Sequence, residues 1–385
     1  MRFLTRTCFS FGMFFASLLS HGWAPYILSL ILFFIPFILS ISKQTPKLHI
    51  NYIVFIALFL ILSFANGLYI LLDPLQLVIE KAKLAVFGNA SMLIFLAGYA
   101  LMFHLSMSTN ERYEQLRYSI LFCLIVHLSF FYTQLIFFYF FNIKLDFMAI
   151  LGGQETRFDN YFADRSNLNF LIFRPSGLFI EPSTYVAAMV VLTALASVVK
   201  FQKPLVLIAL FSLAFSLSSA GLIMFLLIVA WYIIRNILSF KMILVLTSFS
   251  LVLAFTLGDF ISFFFDDLSR KVGGGSSYRL ELLKYYVLHD TFGLNFFGYG
   301  FFGLPNKLDQ LLAYTNAAIN DIGLGWFTVM KFGIVPAFAF FGLVFFTLQS
   351  SFQRIMFTCI LLSKSPLVYP LVVLYYVIVL SRQER

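Results

Sequence analysis

Apolar stretches long enough to become membrane-spanning helices return along almost the whole chain. They run over 7–20, 24–42, 50–72, 84–104, 118–141, 178–199, 204–234, 241–263, 321–347 and 355–380. A helix needs about 20 apolar residues to cross a hydrocarbon core, and backbone in lipid has to satisfy its own hydrogen bonds. The stretch 204–234 is too long for one helix and carries Ser218-Ser219-Ala220-Gly221 at its middle, so it reads as two short helices joined by a turn. The stretch 355–380 has Lys364-Ser365-Pro366 at its centre and reads as one kinked helix or a second hairpin. The expected fold class is all-α: a polytopic transmembrane bundle of about 11 or 12 spans. Residues 1–385 form a single integral membrane domain, with large outer loops at 142–177 and 264–320.

Charge supports this reading. Only 11% of the residues are charged and mean hydropathy is +0.94, against about 25% charged in a soluble domain. The net charge of +9 would raise nucleic acid as a partner in a soluble chain, but here the cations sit between apolar runs. Alternating sides from an inner N-terminus puts Arg2, Arg6, Lys43, Lys47, Arg112, Arg117, Lys200, Lys203, Arg235, Lys241 and Arg354 on the inner side, with Glu111 and Glu114 as the only acids. That is the positive-inside pattern, which excludes nucleic acid. Arg382 and Arg385 prefer the same side and favour 12 spans over 11. Arg2 and Arg6 before an apolar run imitate a signal peptide, but no small-residue cleavage site follows, so the first helix is expected to stay. Cys8, Cys123 and Cys359 lie in or beside apolar runs, which argues against a disulfide framework or thiolate metal site. No metal or cofactor is expected.

Chemistry is expected in the two outer loops. The first contains Arg157 and ends with Arg174-Pro175-Ser176-Gly177-Leu178-Phe179-Ile180-Glu181-Pro182. Charges beside a spanning helix are costly and face a wet cavity or each other. Arg174 and Glu181 are therefore either site residues or an interfacial pair fixing helix tilt. The second loop carries Arg270-Lys271, then Gly273-Gly274-Gly275-Ser276-Ser277-Tyr278-Arg279. Leu282, Leu283, Tyr286 and Val287 follow at amphipathic spacing, with His289 just beyond. A glycine-rich turn feeding a helix N-terminus offers backbone N–H groups to an anion, and an arginine there adds a two-pronged phosphate grip. The bland alternative is a linker and a capped surface helix. Inside the spans, His127 and Gln134 lie on one helical face and read first as interhelical glue. Together these features suit an anionic, membrane-bound substrate handled at the outer face.

The spacing of Arg174, Gly177, Leu178, Phe179, Glu181 and Pro182 resembles the segment after the first large periplasmic loop of bacterial O-antigen polymerases. These form the Wzy family, within the O-antigen ligase-like superfamily. Leu217-Ser218-Ser219-Ala220-Gly221 is similar to that superfamily's turn between two short spans. Tyr278-Arg279 followed by Gly298-Tyr299-Gly300-Phe301 looks like its second loop, and Gly333 in Lys331-Phe332-Gly333 fits the helix after it. The resemblance implies a metal-independent glycosyltransferase of the inner membrane, with its site facing the periplasm. Its substrates would be undecaprenyl-diphosphate-linked oligosaccharides, and a chain-length regulator protein would be a partner. It implies Arg174 and Arg279 as the catalytic cations and Glu181 or Asp321 as base. Arg157, Arg270, Lys271, Tyr278, His289 and Asn320 would bind substrate. The ligases carry a histidine before the helix that follows the second loop; this chain has Asn320-Asp321 there, which favours a polymerase. A ligase to lipid A-core and a lipid-linked-oligosaccharide flippase are the alternatives.

Overall fold

The computed structural model describes residues 2–18, 24–38, 94–105, 110–150, 173–200, 203–236, 323–365 and 369–381. Among these residues the protein is all-helical, with twelve helices and no strand. They are α1 (Arg2–Ser17), α2 (Ala24–Ile38), α3 (Ile94–Leu105), α4 (Asn110–Phe141), α5 (Phe147–Ile150) and α6 (Pro182–Val198). After these come α7 (Lys203–Phe215), α8 (Ser219–Asn236), α9 (Leu324–Phe332), α10 (Ile334–Thr347), α11 (Ser351–Leu362) and α12 (Pro370–Ser381). The expected spans at 50–72 and 241–263 and the amphipathic segment at 282–287 lie outside the described residues.

One described helix, α4, is long and apolar enough to cross a membrane by length and composition; eight further apolar helices have 10–17 residues. With 32 residues, α4 is about 48 Å long. Its partners reveal the direction of the others. Ser10 meets Ser119 (3.5 Å), Cys123 Sγ lies 3.9 Å from the Met13 carbonyl, and Ser17 meets His127, so α1 and α4 are parallel. Ser29 Oγ donates to the Gly12 carbonyl (2.7 Å) and Phe9 packs on Phe33, so α1 and α2 are antiparallel. Tyr26 packs on Phe95 and Phe33 on Phe103, so α2 and α3 are parallel. Each relation is the one required by the alternation of sides read from the sequence.

The centre is α6. A helix apolar all round is a buried helix, and 14 of the 17 residues of α6 are buried. It packs against α4, α7, α8, α11 and α12. Tyr185 Oη donates to Ser212 Oγ of α7 (2.8 Å) at one end, and Gln353 Nε2 of α11 lies 3.5 Å from the Ser197 carbonyl at the other.

Two expectations resolve cleanly. The 204–234 stretch is a hairpin, α7 and α8, turning at Ser216-Leu217-Ser218 with Leu217 at φ +50°. A Cβ on Gly221 would strike the Leu213 carbonyl and come within 2.8 Å of Val186 Cγ2; glycine is what lets α8 start against both α7 and α6. At the C-terminal end, the Phe357 and Tyr375 rings stack 6.1 Å apart. One continuous helix would hold them about 27 Å apart, so α11 and α12 form a hairpin and the kinked-helix option falls. The 321–347 stretch, expected as one helix, instead breaks at Gly333 (φ +91°) into α9 and α10. Pro336 explains the place: its ring has no N–H for the Phe332 carbonyl and clashes with it. The first helix also starts earlier than expected, at Arg2. Arg6 can sit within it because its guanidinium lies over the Tyr118 ring at 4.6 Å.

Candidate functional site

A strap of nine residues, Phe173 to Glu181, leads from the first loop into α6. It lies inside the bundle: Phe173, Pro175, Ser176, Gly177, Leu178 and Phe179 are buried, while Arg174 and Glu181 are half-buried. Much of what holds it comes from the C-terminal half of α4. Gln134 does most of this. Its Oε1 accepts from the Ser176 and Gly177 N–H groups (3.0 and 2.8 Å). Its Nε2 donates to the Leu145 carbonyl (2.9 Å) and the Gly177 carbonyl (3.3 Å). One buried amide thereby ties the start of the first loop, at Leu145, to its end, at Gly177.

Aromatic rings fix the rest. Phe138 stacks on Phe173 (4.6 Å), and Tyr139 Oη accepts from the Phe173 N–H (3.3 Å). Phe131 stacks on Tyr185 (4.4 Å), and His127 stacks on Phe179 (5.1 Å). His127 Nε2 lies 2.6 Å from Ser17 Oγ, whose hydrogen goes to the Phe14 carbonyl at 2.6 Å. The His127 and Gln134 pair, read as glue between helices, is glue for this strap.

The strap itself turns at Ser176–Phe179, closed by the Phe179 N–H on the Ser176 carbonyl (3.1 Å), with Gly177 at φ +60°. Glu181 then starts α6 with extended backbone. Its N–H donates to Thr184 Oγ1 (3.2 Å), and that hydroxyl donates to the Glu181 carbonyl (2.7 Å). The Glu181 carboxylate accepts from Ser183 Oγ (3.0 Å). Backbone and Thr184 thus hold the helix start, with Pro182 at the position where a missing N–H is no loss.

The start of α9 lies at this same end. Leu324 N–H donates to the Ser363 carbonyl (2.8 Å), and Ser363 Oγ donates to Ser365 Oγ (2.9 Å). Ser365 Oγ in turn reaches the Ala187 carbonyl, near the start of α6 (3.4 Å). Gly323, at φ +96°, passes over the Leu361 and Leu362 carbonyls where a Cβ would sit 3.2 and 3.1 Å from them. The strap and the start of α9 therefore flank one end of α6.

Neither a family model, nor a curated protein, nor a solved structure matches the chain.

Of the residues singled out from the sequence, Arg174 and Glu181 both stand on this strap, Glu181 at the N-cap of α6 and Arg174 seven residues before it. Arg157, Arg270, Lys271, Tyr278, Arg279, His289, Asn320 and Asp321 lie outside the described residues. Sequence reasoning missed the role of Tyr139, which nothing in its local pattern marks, and the burial of Lys331. Lys331 is 2% exposed, with Nζ 5.7 Å from the Phe327 ring. Among the described residues, no group of three His, Cys, Asp or Glu side chains could hold a metal ion.

Proposed function

We propose that this chain is a polytopic inner-membrane glycosyltransferase of the O-antigen polymerase kind, working on undecaprenyl-diphosphate-linked oligosaccharides at the periplasmic face. The observation that carries the reading is Arg174, held on a clamped strap that leads into the central helix, at the end where α9 also starts. The order of the motifs along the chain supports the family. The opposite end of the bundle, with Lys200, Lys203, Arg235 and Arg354, supports the orientation. Phe140, Phe346 and Ile234, each more than 70% exposed, are side chains that suit lipid better than water.

In the proposed reaction the bond from the sugar's anomeric carbon to the diphosphate oxygen of the donor breaks. A hydroxyl oxygen at the non-reducing end of a fresh lipid-linked unit bonds to that carbon, and its proton passes to a base. Undecaprenyl diphosphate leaves. Negative charge grows on the departing diphosphate, and fixed arginines in a water-poor site stabilise it most in the transition state. Arg174 and Arg279 take this role. Arg157, Arg270, Lys271, Tyr278, His289 and Asn320 hold the substrate, and Glu181 or Asp321 takes the proton.

The test is the surface-polysaccharide profile of a host lacking the gene, complemented with wild type or Arg174→Ala. A core bearing one repeat unit and no ladder, restored by wild type alone, supports a polymerase. Free lipid-linked polymer with an empty core means a ligase. A transporter has one observation in its favour, the cation Lys331 buried within the bundle; its loss would leave the core with no repeat unit at all.

A further inference from the structure

At the end of the bundle away from the strap, two guanidinium groups are built onto one face. Arg235, in the last turn of α8, lies over the Trp231 ring at 5.5 Å, and its Nη1 donates to Ser351 Oγ at 2.8 Å. Ser351 is the first residue of α11, and Arg354 stands one turn further along the same face. Arg354 lies over the Phe345 ring of α10 at 5.4 Å, and its Nε is buried with no hydrogen-bond partner. Trp231 packs on Phe352 at 5.5 Å and sets the spacing between α8 and α11. Each cation thus lies over an aromatic ring, and Arg235 is tied to the first residue of the helix that carries Arg354. Like charges one turn apart repel, and the positive end of the α11 dipole adds to the same potential. Among the described residues, the helices that carry or adjoin them, α7, α8, α10 and α11, contain no Asp or Glu. Lys200 and Lys203, exposed at the α6–α7 turn, flank the same end through the Gln353 to Ser197 contact.

We infer that Arg235, Ser351 and Arg354 form a binding site for the headgroup of an anionic phospholipid of the inner leaflet. A phosphodiester between the two guanidiniums would receive N–H donors that the protein does not use, since each guanidinium carries five and Arg235 gives one to Ser351. Trp231 and the exposed apolar side chain of Ile234 of α8 would lie along the acyl chains, as interfacial aromatic residues do. A lipid is favoured over a soluble anion because the cations sit where apolar helix surface begins. The site rests on the membrane part of the proposed function and not on the polymerase assignment; a chain that stays soluble without detergent would end both.

The full chain is purified in detergent, stripped of lipid, and its thermal unfolding followed with added cardiolipin, phosphatidylglycerol, phosphatidylcholine or inorganic phosphate. Native mass spectrometry counts bound lipid in parallel. The two anionic lipids are expected to raise Tm and remain bound, with phosphatidylcholine and phosphate doing neither. Arg235→Gln with Arg354→Gln, which keeps both stems, should weaken anionic-lipid binding about 30-fold. Arg6→Ala removes another ring-stacked cation and should leave binding unchanged. Each protein is compared with its own lipid-free Tm, so a destabilised variant still reports. Equal stabilisation by phosphatidylcholine, an undiminished effect in the double variant, or an equal loss in Arg6→Ala would overturn the site.

Discussion

The side-chain amide of Gln134 and the backbone of Gly177 hydrogen-bond in both directions, Oε1 accepting at 2.8 Å and Nε2 donating at 3.3 Å. A membrane-embedded helix has no spare backbone donors, so a non-helical strap buried against it needs side chains to satisfy its N–H and C=O groups. Gln134 supplies both kinds from one residue.

Gln134→Leu should therefore do more harm than its volume suggests. It strands the Ser176 and Gly177 N–H groups in an apolar setting, at a cost of about 3 kcal/mol together. The expected result is a lower Tm in detergent and loss of polysaccharide ladder even though Arg174 is present. A variant with wild-type Tm and ladder would show that the strap is held without the amide.

The two structural glycines should rank oppositely to what their backbone angles suggest. Gly177 has φ +60° but room for a Cβ, the nearest atom being 3.6 Å away, so Gly177→Ala should cost about 1–2 kcal/mol. Gly221 is helical, yet its Cβ would meet the Leu213 carbonyl, Ser216 Oγ and Val186 at once. Gly221→Ala should cost about 3 kcal/mol or more, and equilibrium unfolding of the two variants decides the order.

Glu181 can be tested as a base without confusing chemistry with folding. The α6 start is a capping box between Glu181 and Thr184, and a glutamine keeps a side-chain oxygen that can serve in it. Glu181→Gln should leave stability within about 0.5 kcal/mol, whereas Thr184→Val should cost about 1 kcal/mol. Loss of ladder in a stable Glu181→Gln protein then supports a chemical role, and full activity removes it.

Orientation is open to direct labelling. The native thiols Cys8, Cys123 and Cys359 are buried and should give little background. In cells with a permeable outer membrane, an impermeant maleimide should label Lys144→Cys at the strap end. Lys203→Cys should react only once the inner membrane is lysed. The reverse pattern would place Arg174 on the wrong side for the proposed reaction.

Much of this fold is legible in the sequence because lipid makes hydropathy and charge placement nearly sufficient. The α7–α8 hairpin and the parallel and antiparallel pairs follow from run length and alternation. The break at Gly333 is harder to see, since both flanks are apolar and only Pro336 three residues later betrays it. The site is legible in part. Arg174 and Glu181 stand out because charge beside an apolar helix is rare. Gln134 shows on the sequence only as a polar residue in a span. Which neighbour it serves depends on a packing between segments about 40 residues apart, and no local pattern encodes that.

The central position of α6 has a consequence for how the protein is made. Chains are synthesised from the N-terminus, so α4 is already present when α6 leaves the ribosome, and α7 and α8 follow at once. The wall formed by α11 and α12 comes much later, after the whole second loop. Until then one side of the most buried helix lacks its packing partners, and the Ser365 contact to Ala187 cannot form. Assembly of the site is therefore tied to completion of the last hairpin, and a ribosome stalled within the second loop would hold a strap already clamped to α4 but a bundle that is not yet closed.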